Sequence, residues 1–324
     1  MQRNRRTRRT ESLLRLFTET DVPVRSLVPA YFVVEGSRVR RELPEGSGLW
    51  QLSIDELQEE CKRARDGGAE AVMLFGVPDQ KGIEHATRRD SLACNAVRAL
   101  EGTGLVRMAD VCLCSYTEDG HCGVWHDGHH GRPGSVDNDS SVALLAQVAA
   151  GLADAGAEIV CPSDMMDGRI AAIRAALDHE GLGDTLVMSY AAKMASAMYG
   201  PFRHAASSAP THGDRRGYQM NPANGREAMR ETATDIEEGA DLIMVKPALT
   251  NLDLIAATRA RWNVPIVAYQ VSGEYAMIHE AARAGRIDRA RAARETLVSI
   301  RRAGADLVVS YFAPEFWAGG PRAA

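Results

Sequence analysis

A junction that occurs four times limits what this 324-residue chain can fold into. Gly68-Ala69-Glu70 precedes AVMLFGV, Gly156-Ala157-Glu158 precedes IVCPSD, Gly239-Ala240-Asp241 precedes LIMVKP, and Gly304-Ala305-Asp306 precedes LVVSYF. In each, a glycine able to take the left-handed conformation closes a helix, and a short apolar run follows at once. Runs without polar alternation are buried on both faces, as strands of a parallel sheet under helices are. Further runs bring the predicted strands to eight, around 29–34, 71–76, 106–113, 158–163, 185–192, 241–246, 265–271 and 306–311. Helical patterns intervene, among them Ser53 to Arg65, and Ala143 to Ala155 after Asp137-Asn138-Asp139. Eight β/α units with no GxGxxG after the first strand predict an α/β chain folded as a (β/α)8 barrel rather than a doubly wound sheet. The barrel is expected as a single domain over 28–324, with a polar N-terminal arm at 1–27. Residues 194–225, rich in Gly, Pro, Ser and Arg and without a clear period, are long enough for an active-site lid.

Composition narrows the classes of function. Apolar residues make up 45% and charged residues 25% of the chain, as in ordinary globular proteins, which excludes a disordered or collagen-like chain. No run approaches the ~18 apolar residues that a membrane span needs, so the expectation is a soluble, cytoplasmic protein with no membrane partner. Arg3, Arg5, Arg6, Arg8 and Arg9 are not followed by an apolar stretch, and Glu11 and Glu19 argue against a transit peptide. With a net charge of −5 and no basic cluster beyond those arginines, nucleic acid is not the expected partner.

In a barrel of this type the chemistry gathers at the C-terminal ends of the strands. There the sequence places Asp110-Val111-Cys112-Leu113-Cys114, Ser163-Asp164, Ser189-Tyr190 with Lys193, Lys246, Tyr269 with Ser272, and Ser310-Tyr311, all predicted to face one pocket. Of 38 basic residues only Lys62, Lys81, Lys193 and Lys246 are lysines. An amine at the end of an apolar strand loses solvent, which lowers its pKa and frees it to attack a ketone. The structural alternative is a lysine that reaches the rim or pairs with Asp164. Two of four lysines at neighbouring strand ends favour chemistry; for Lys62 and Lys81 a solvated surface suffices.

Cys112, Cys114 and Cys122 form C-x-C-x7-C. Three thiolates leave one position of a tetrahedral Zn2+ open, the pattern of a catalytic site, unless His121 closes it. Cys61, Cys94 and Cys161 read as small core residues, and His126, His129 and His130 with Asp127 as solvated loop residues. On the expected lid, Arg203 and Arg215, with Gln219 four residues on, suit a substrate carboxylate; Arg216 is an equal candidate for the inward position.

These residues lie in segments that together resemble the porphobilinogen synthase (5-aminolevulinate dehydratase) family: ADVCLCSYTEDGHCG at 109–123, PSDMMDGR at 162–169, MSYAAK and YGPFR within 188–203, GDRRGYQ at 213–219, GADLIMVKP at 239–247, VSGEYAM at 271–277 and RRAGADLVVSYFAPE at 301–315. The resemblance implies a barrel enzyme of tetrapyrrole biosynthesis that condenses two 5-aminolevulinate molecules with loss of two waters. It implies a Schiff base on Lys246 for the first substrate, Lys193 for the second, and zinc on Cys112, Cys114 and Cys122. By the same resemblance Arg203, Arg215 and Gln219 hold one carboxylate, Ser272 and Tyr311 the other, and Asp110 and Ser163 seat amines and protonatable groups. Glu231 corresponds to an allosteric magnesium position, and the arm to a contact in a homo-octamer. The connection at 43–48 and the stretch 81–91 depart from the family pattern. Other readings are a paralogue with an altered substrate and a class I aldolase with one Schiff-base lysine, for which the thiols would be unnecessary.

Overall fold

The computed structural model describes residues 1–128 and 134–317. Eight strands close a parallel barrel. Strand β1, Leu27–Val28 and Ala30–Val33, is interrupted at Pro29; β2 is Ala71–Gly76, β3 Val106–Val111 and β4 Ile159–Pro162. Strand β5 is Leu186–Lys193, β6 Leu242–Lys246, β7 Ile266–Gln270 and β8 Leu307–Ser310. All eight predicted strands are present, with ends shifted by one or two residues. Pro29 cannot donate to a ladder, and the sheet changes neighbour there: Leu27 and Val28 pair with β8, whereas Ala30 to Val33 pair with β2.

Alternation along the strands separates the two faces of the barrel wall. Phe32, Met73, Phe75, Met108, Cys161, Met188, Tyr190, Met244 and Tyr269 share one buried cluster. Their neighbours Tyr31, Val33, Val72, Leu74, Ala109, Val160, Val187 and Ile243 pack in a second with the helix residues Leu57, Cys61, Val97, Leu145 and Ile173. This two-sided burial is why the strands read as continuous apolar runs. The predicted helices are Ile54–Asp66 and Asn138–Asp154; the second begins five residues early because Asp137 caps it, accepting from the Ser140 amide.

The connection at 43–48 closes an antiparallel pair, Arg40–Glu42 with Trp50–Leu52, whose second strand lies parallel to the end of β1. Here Gly46 and Gly48 donate backbone N–H groups to the Glu42 carboxylate. Along the arm, Asn4–Arg8 and Glu11–Leu16 are short helical turns that leave Leu14, Leu16 and Phe17 exposed. The expected lid is anchored at both ends: Met220 donates to the Lys193 carbonyl, and Ala195 to that of Met220. Between the anchors lie the turn Ala197–Tyr199 and the helix Gly200–Ala205. No described helix is long and apolar enough to cross a membrane.

Candidate active site

The two strand-end lysines stand side by side because β5 contains an irregularity. Ser189 pairs with Ile243, but the register shifts before Ala192, which pairs with Val245, so that Lys193 falls opposite Lys246. In an unbroken register Ala192 would occupy that place. A one-residue slip exchanges the faces of a strand, and here it brings Lys193 over the same Tyr190 ring as Lys246, with Nζ 5.5 and 5.2 Å from its centroid.

Lys246 is 3% exposed, and its Nζ is surrounded by aromatic rings: 4.1 Å from the centroid of Tyr269, 4.8 Å from Phe202, 5.2 Å from Tyr190 and 5.3 Å from Tyr199. Burial, with the second cation at Lys193, lowers its pKa to about 7, against the opposing charge of Asp110. Ring faces attract an ammonium, yet loss of water outweighs them, so a large share of Lys246 is a free amine near neutrality. Lys193 is likewise buried, and its ammonium donates to the Ser163 carbonyl and not to Asp164. Half-buried Asp110 keeps Oδ1 shielded and unpartnered, and loss of solvent raises its pKa to about 6 in spite of Lys193.

The thiol groups of Cys112, Cys114 and Cys122 are all buried, with their sulfurs within 4.8 Å of one another. Hydrogen bonds from Cys112 and Cys114 hold the Cys122 thiol well below its ordinary pKa, and Arg215 and Lys193 add to the effect. Three converging sulfurs at this spacing suit zinc, with a fourth position left for another ligand. His121 does not supply it: one ring nitrogen is 3.0 Å from the Tyr218 hydroxyl, the other 3.0 Å from the His212 carbonyl, and the ring stacks on Trp125. Among the described residues no other group of three potential metal ligands converges.

Across the cavity, Arg203 and Arg215 bring two guanidinium groups together. Burial and the charge of Arg215 lower the pKa of Arg203; Arg215, although desolvated, is held charged by the thiols. The inward candidate is thus Arg215, 5% exposed, while Arg216 is exposed and pairs with Asp214. Both side-chain polar atoms of Gln219, at 2% exposure, lack a partner, as do the Nε atoms of both arginines. Buried polar groups are nearly always satisfied, so this set could hold a polar, anionic ligand. Ser272 accepts from the Phe202 amide, next to Arg203 in the chain, and the hydroxyls of Tyr311 and Tyr269 lie 2.9 Å apart.

Not every strand-end polar residue faces this cavity. Ser189 instead donates to Asp235, which pairs with Arg169 at 3.0 Å, and Asp164 lies 3.8 Å from that same buried guanidinium. Ser310 donates to Gln270, which in turn reaches Thr296 on a surrounding helix. All three belong to the interface between barrel and helices, the side to which alternation directs them. Glu231, on the helix Gly225–Glu237, is half-buried in the wall of a separate cavity of about 780 Å3 with Asp167 and Glu227, and burial and Asp167 raise its pKa. Lys62 is solvated as expected; Lys81 is only partly exposed, and its Nζ is 3.0 Å from the carbonyls of both Thr117 and Ser207. Cys61, Cys94 and Cys161 are buried. His126 is exposed and 3.4 Å from Asp137, while His129 and His130 lie outside the described residues.

One residue that the strand-end reading passed over is Glu274. Its buried carboxylate accepts from the backbone N–H groups of Val271 and Leu249, tying the loop after Lys246 to the loop that carries Ser272. Burial raises its pKa to about 7 against those donors. The signal in the sequence was a Glu three residues into a helix, the capping-box position. Gly273 beside it is required by close approach, since a Cβ there would lie 2.6 Å from the Met198 carbonyl oxygen.

A closed barrel with amines, thiols and two arginines at the C-terminal ends of its strands fits a class, the barrel enzymes that act on small molecules at that face. Comparison with known proteins makes the assignment particular. The family model described as delta-aminolevulinic acid dehydratase matches residues 1–318, and the chain belongs to that family. The dehydratase of Halalkalibacterium halodurans is 46% identical over 317 residues, covering 97% of this chain and 95% of the relative. That of Synechococcus elongatus is 45% identical over 318 residues, 97% of both chains. The crystal structure of porphobilinogen synthase from Toxoplasma gondii, in complex with its reaction product porphobilinogen, superposes with a TM-score of 0.93 at 42% identity, covering 98% of this chain and 90% of that one.

Proposed function

We propose that this chain condenses two molecules of 5-aminolevulinate to porphobilinogen with loss of two waters, as a step of tetrapyrrole synthesis. The observation that supports it best is the pairing of Lys193 with Lys246 across β5 and β6 beside three convergent thiols. Two ketones call for two amines, and two carboxylates for two anion sites. Lys246, poised near neutrality, attacks the ketone carbon of the first substrate and forms an imine as water leaves. Lys193 binds the second substrate through its ketone in the same way, and both amines are regenerated when the pyrrole closes. Holding the two substrates side by side converts a bimolecular bond formation into an intramolecular one.

Arg203, Arg215 and Gln219 clamp the second carboxylate, and Ser272 and Tyr311 take the first. Asp110, its pKa raised by burial to about 6, exchanges protons with the substrates beside Ser163. Zinc held by Cys112, Cys114 and Cys122 would supply Lewis-acid polarisation of the second substrate. A magnesium ion at Glu231 would have to complete its coordination with water or groups of another chain. The arm, with exposed Leu14, Leu16 and Phe17, packs on a second copy in this reading, within a homo-octamer in the cytoplasm. The class I aldolase reading has no use for the second lysine or the thiols.

Borohydride reduction in the presence of 5-aminolevulinate, followed by peptide mapping, tests the assignment. The expected result is modification of Lys246, with Lys193 labelled at higher substrate concentration. Modification of neither lysine would end this reading.

A further inference from the structure

The segment that carries Arg203 ends in four consecutive backbone carbonyls, each held by a side chain from elsewhere. Gln51 donates to the Ala205 carbonyl at 2.6 Å, Ser115 to Ala206 at 3.1 Å, Lys81 to Ser207 at 3.0 Å and Arg215 to Ser208 at 2.5 Å. These carbonyls belong to the last residue of the helix Gly200–Ala205 and the three that follow it, where no further helical N–H exists to pair with them. Ser207 also has a φ of 48°, the left-handed region that a residue with a Cβ adopts at a cost of order 1 kcal/mol. Two of the four donors are cations that cross to the loop bearing the thiols. Lys81 spans the carbonyls of Thr117 and Ser207, and Arg215 those of Gly120 and Ser208, both at 3.0 Å or less. Closeness is built into the seam: a Cβ at Gly120 would lie 2.5 Å from the Ala209 carbonyl oxygen.

We propose that Lys81 is a positioning residue that latches the Arg203 segment to the thiol loop, and so sets how well the cavity holds the carboxylate of the second substrate. It touches neither substrate nor the thiols, unlike Arg215, whose guanidinium also faces the anion site. Lysine suits a latch because its three donors can reach two carbonyls from one point and its charge favours a helix C-terminus. Without the latch, Ser207 is free to leave the left-handed region, and Arg203 loses its place beside Arg215. The inference rests on the proposed reaction for its kinetic consequence, but the latch itself can be read without any substrate.

The test compares Lys81→Met and Lys81→Arg with the unaltered full-length protein, by backbone hydrogen exchange without substrate and by steady-state kinetics with 5-aminolevulinate. A charge-assisted bond of this kind, partly exposed, corresponds to about a tenfold change in an equilibrium. Lys81→Met is expected to speed exchange at Ala206, Ser207, Ser208 and Thr211 about tenfold while the amides of β5 and β6 keep their rates. KM should rise by a similar factor with kcat changed less than about threefold. Lys81→Arg should recover most of both effects. Unchanged exchange at 206–211 in Lys81→Met overturns the latch, as does equal exchange there in both variants. Should Lys81→Met loosen β5 and β6 as well, the Lys81→Arg comparison still decides, because a latch predicts its segment to remain protected. If the unaltered protein made no pyrrole, the reading of the reaction would fail while the exchange experiment stood.

Discussion

The two sides of the cavity are built differently. Lys246 and Tyr269 project from strands, Lys246 inside a cage of Tyr269, Phe202, Tyr190 and Tyr199, and the adjoining loops are fastened by Glu274. Cys114, Cys122, Arg203, Arg215 and Gln219 stand instead on connections, held by side chains that reach backbone carbonyls. The first side obtains its chemistry from desolvation, in a cage made by Tyr190 and Tyr269 of the wall and closed by Tyr199 and Phe202 of the expected lid. The second obtains it from charges of both signs on segments that can be unfastened. An amine proposed to act in its neutral form gains from an apolar cage, whereas a proposed anion site gains from a seam that opens.

If the cage rather than the neighbouring charge controls Lys246, the folded protein carries a penalty for the ammonium. Its pKa falls from 10.5 to about 7 on folding. Below pH 7 both states are protonated and the penalty is fully expressed; between 7 and 10.5 the unfolded chain still binds the proton that the folded protein has lost, so stability rises with pH; above 10.5 the penalty is gone. Lys246→Met should therefore stabilise the fold at pH 6, on the order of 5 kcal/mol from a shift of this size, and leave it unchanged above pH 10.5. Denaturant unfolding of both proteins across this range checks the sign. A constant difference would show that packing, not charge, accounts for it.

Metal removal addresses the other side. Chelation, with add-back of zinc, is expected to lower and restore pyrrole formation by about two orders of magnitude, while borohydride trapping at Lys246 persists. Loss of trapping together with turnover would mean that the two sides are not separate. Acid should act like the chelator, since thiolates must be deprotonated to hold metal.

The strand order, the helix layer and most of the cavity were legible because each leaves a local pattern: a Gly-Ala-acidic junction, an unbroken apolar run, a polar strand end. The resemblance to the family rested on the same segments, now matched from residue 1 to 318. What escaped were relations between distant segments. Nothing local in MSYAAK marks the register shift that sets Lys193 opposite Lys246. Likewise, Ser189 and Ser310 look like pocket residues until the parity of each strand is known, and their partners Asp235 and Gln270 are 46 and 40 residues away. Lys81 reads as a surface residue because its partner at Ser207 is 126 positions away. His121 sits next to Cys122 in sequence, yet stacking on Trp125 turns its ring from the thiols.

The finest distinction between the two sides concerns Glu274. If it fastens the loops around Lys246, then Glu274→Gln, which keeps the size but directs amide hydrogens toward N–H donors, should leave one of the backbone groups of Leu249 and Val271 without an acceptor. A buried unsatisfied amide costs about 1–3 kcal/mol, and displacement of the Lys246 loop should lower kcat about tenfold. Because Lys246 also loses a nearby carboxylate, its pKa should fall slightly, and the acidic limb of the pH profile should move down, not up. Zinc content and the exchange rates at 206–211 should stay as in the unaltered protein, since none of the bonds along that seam passes through Glu274. An effect of Glu274→Gln on zinc retention equal to that on kcat would instead join the two sides into one cooperative unit.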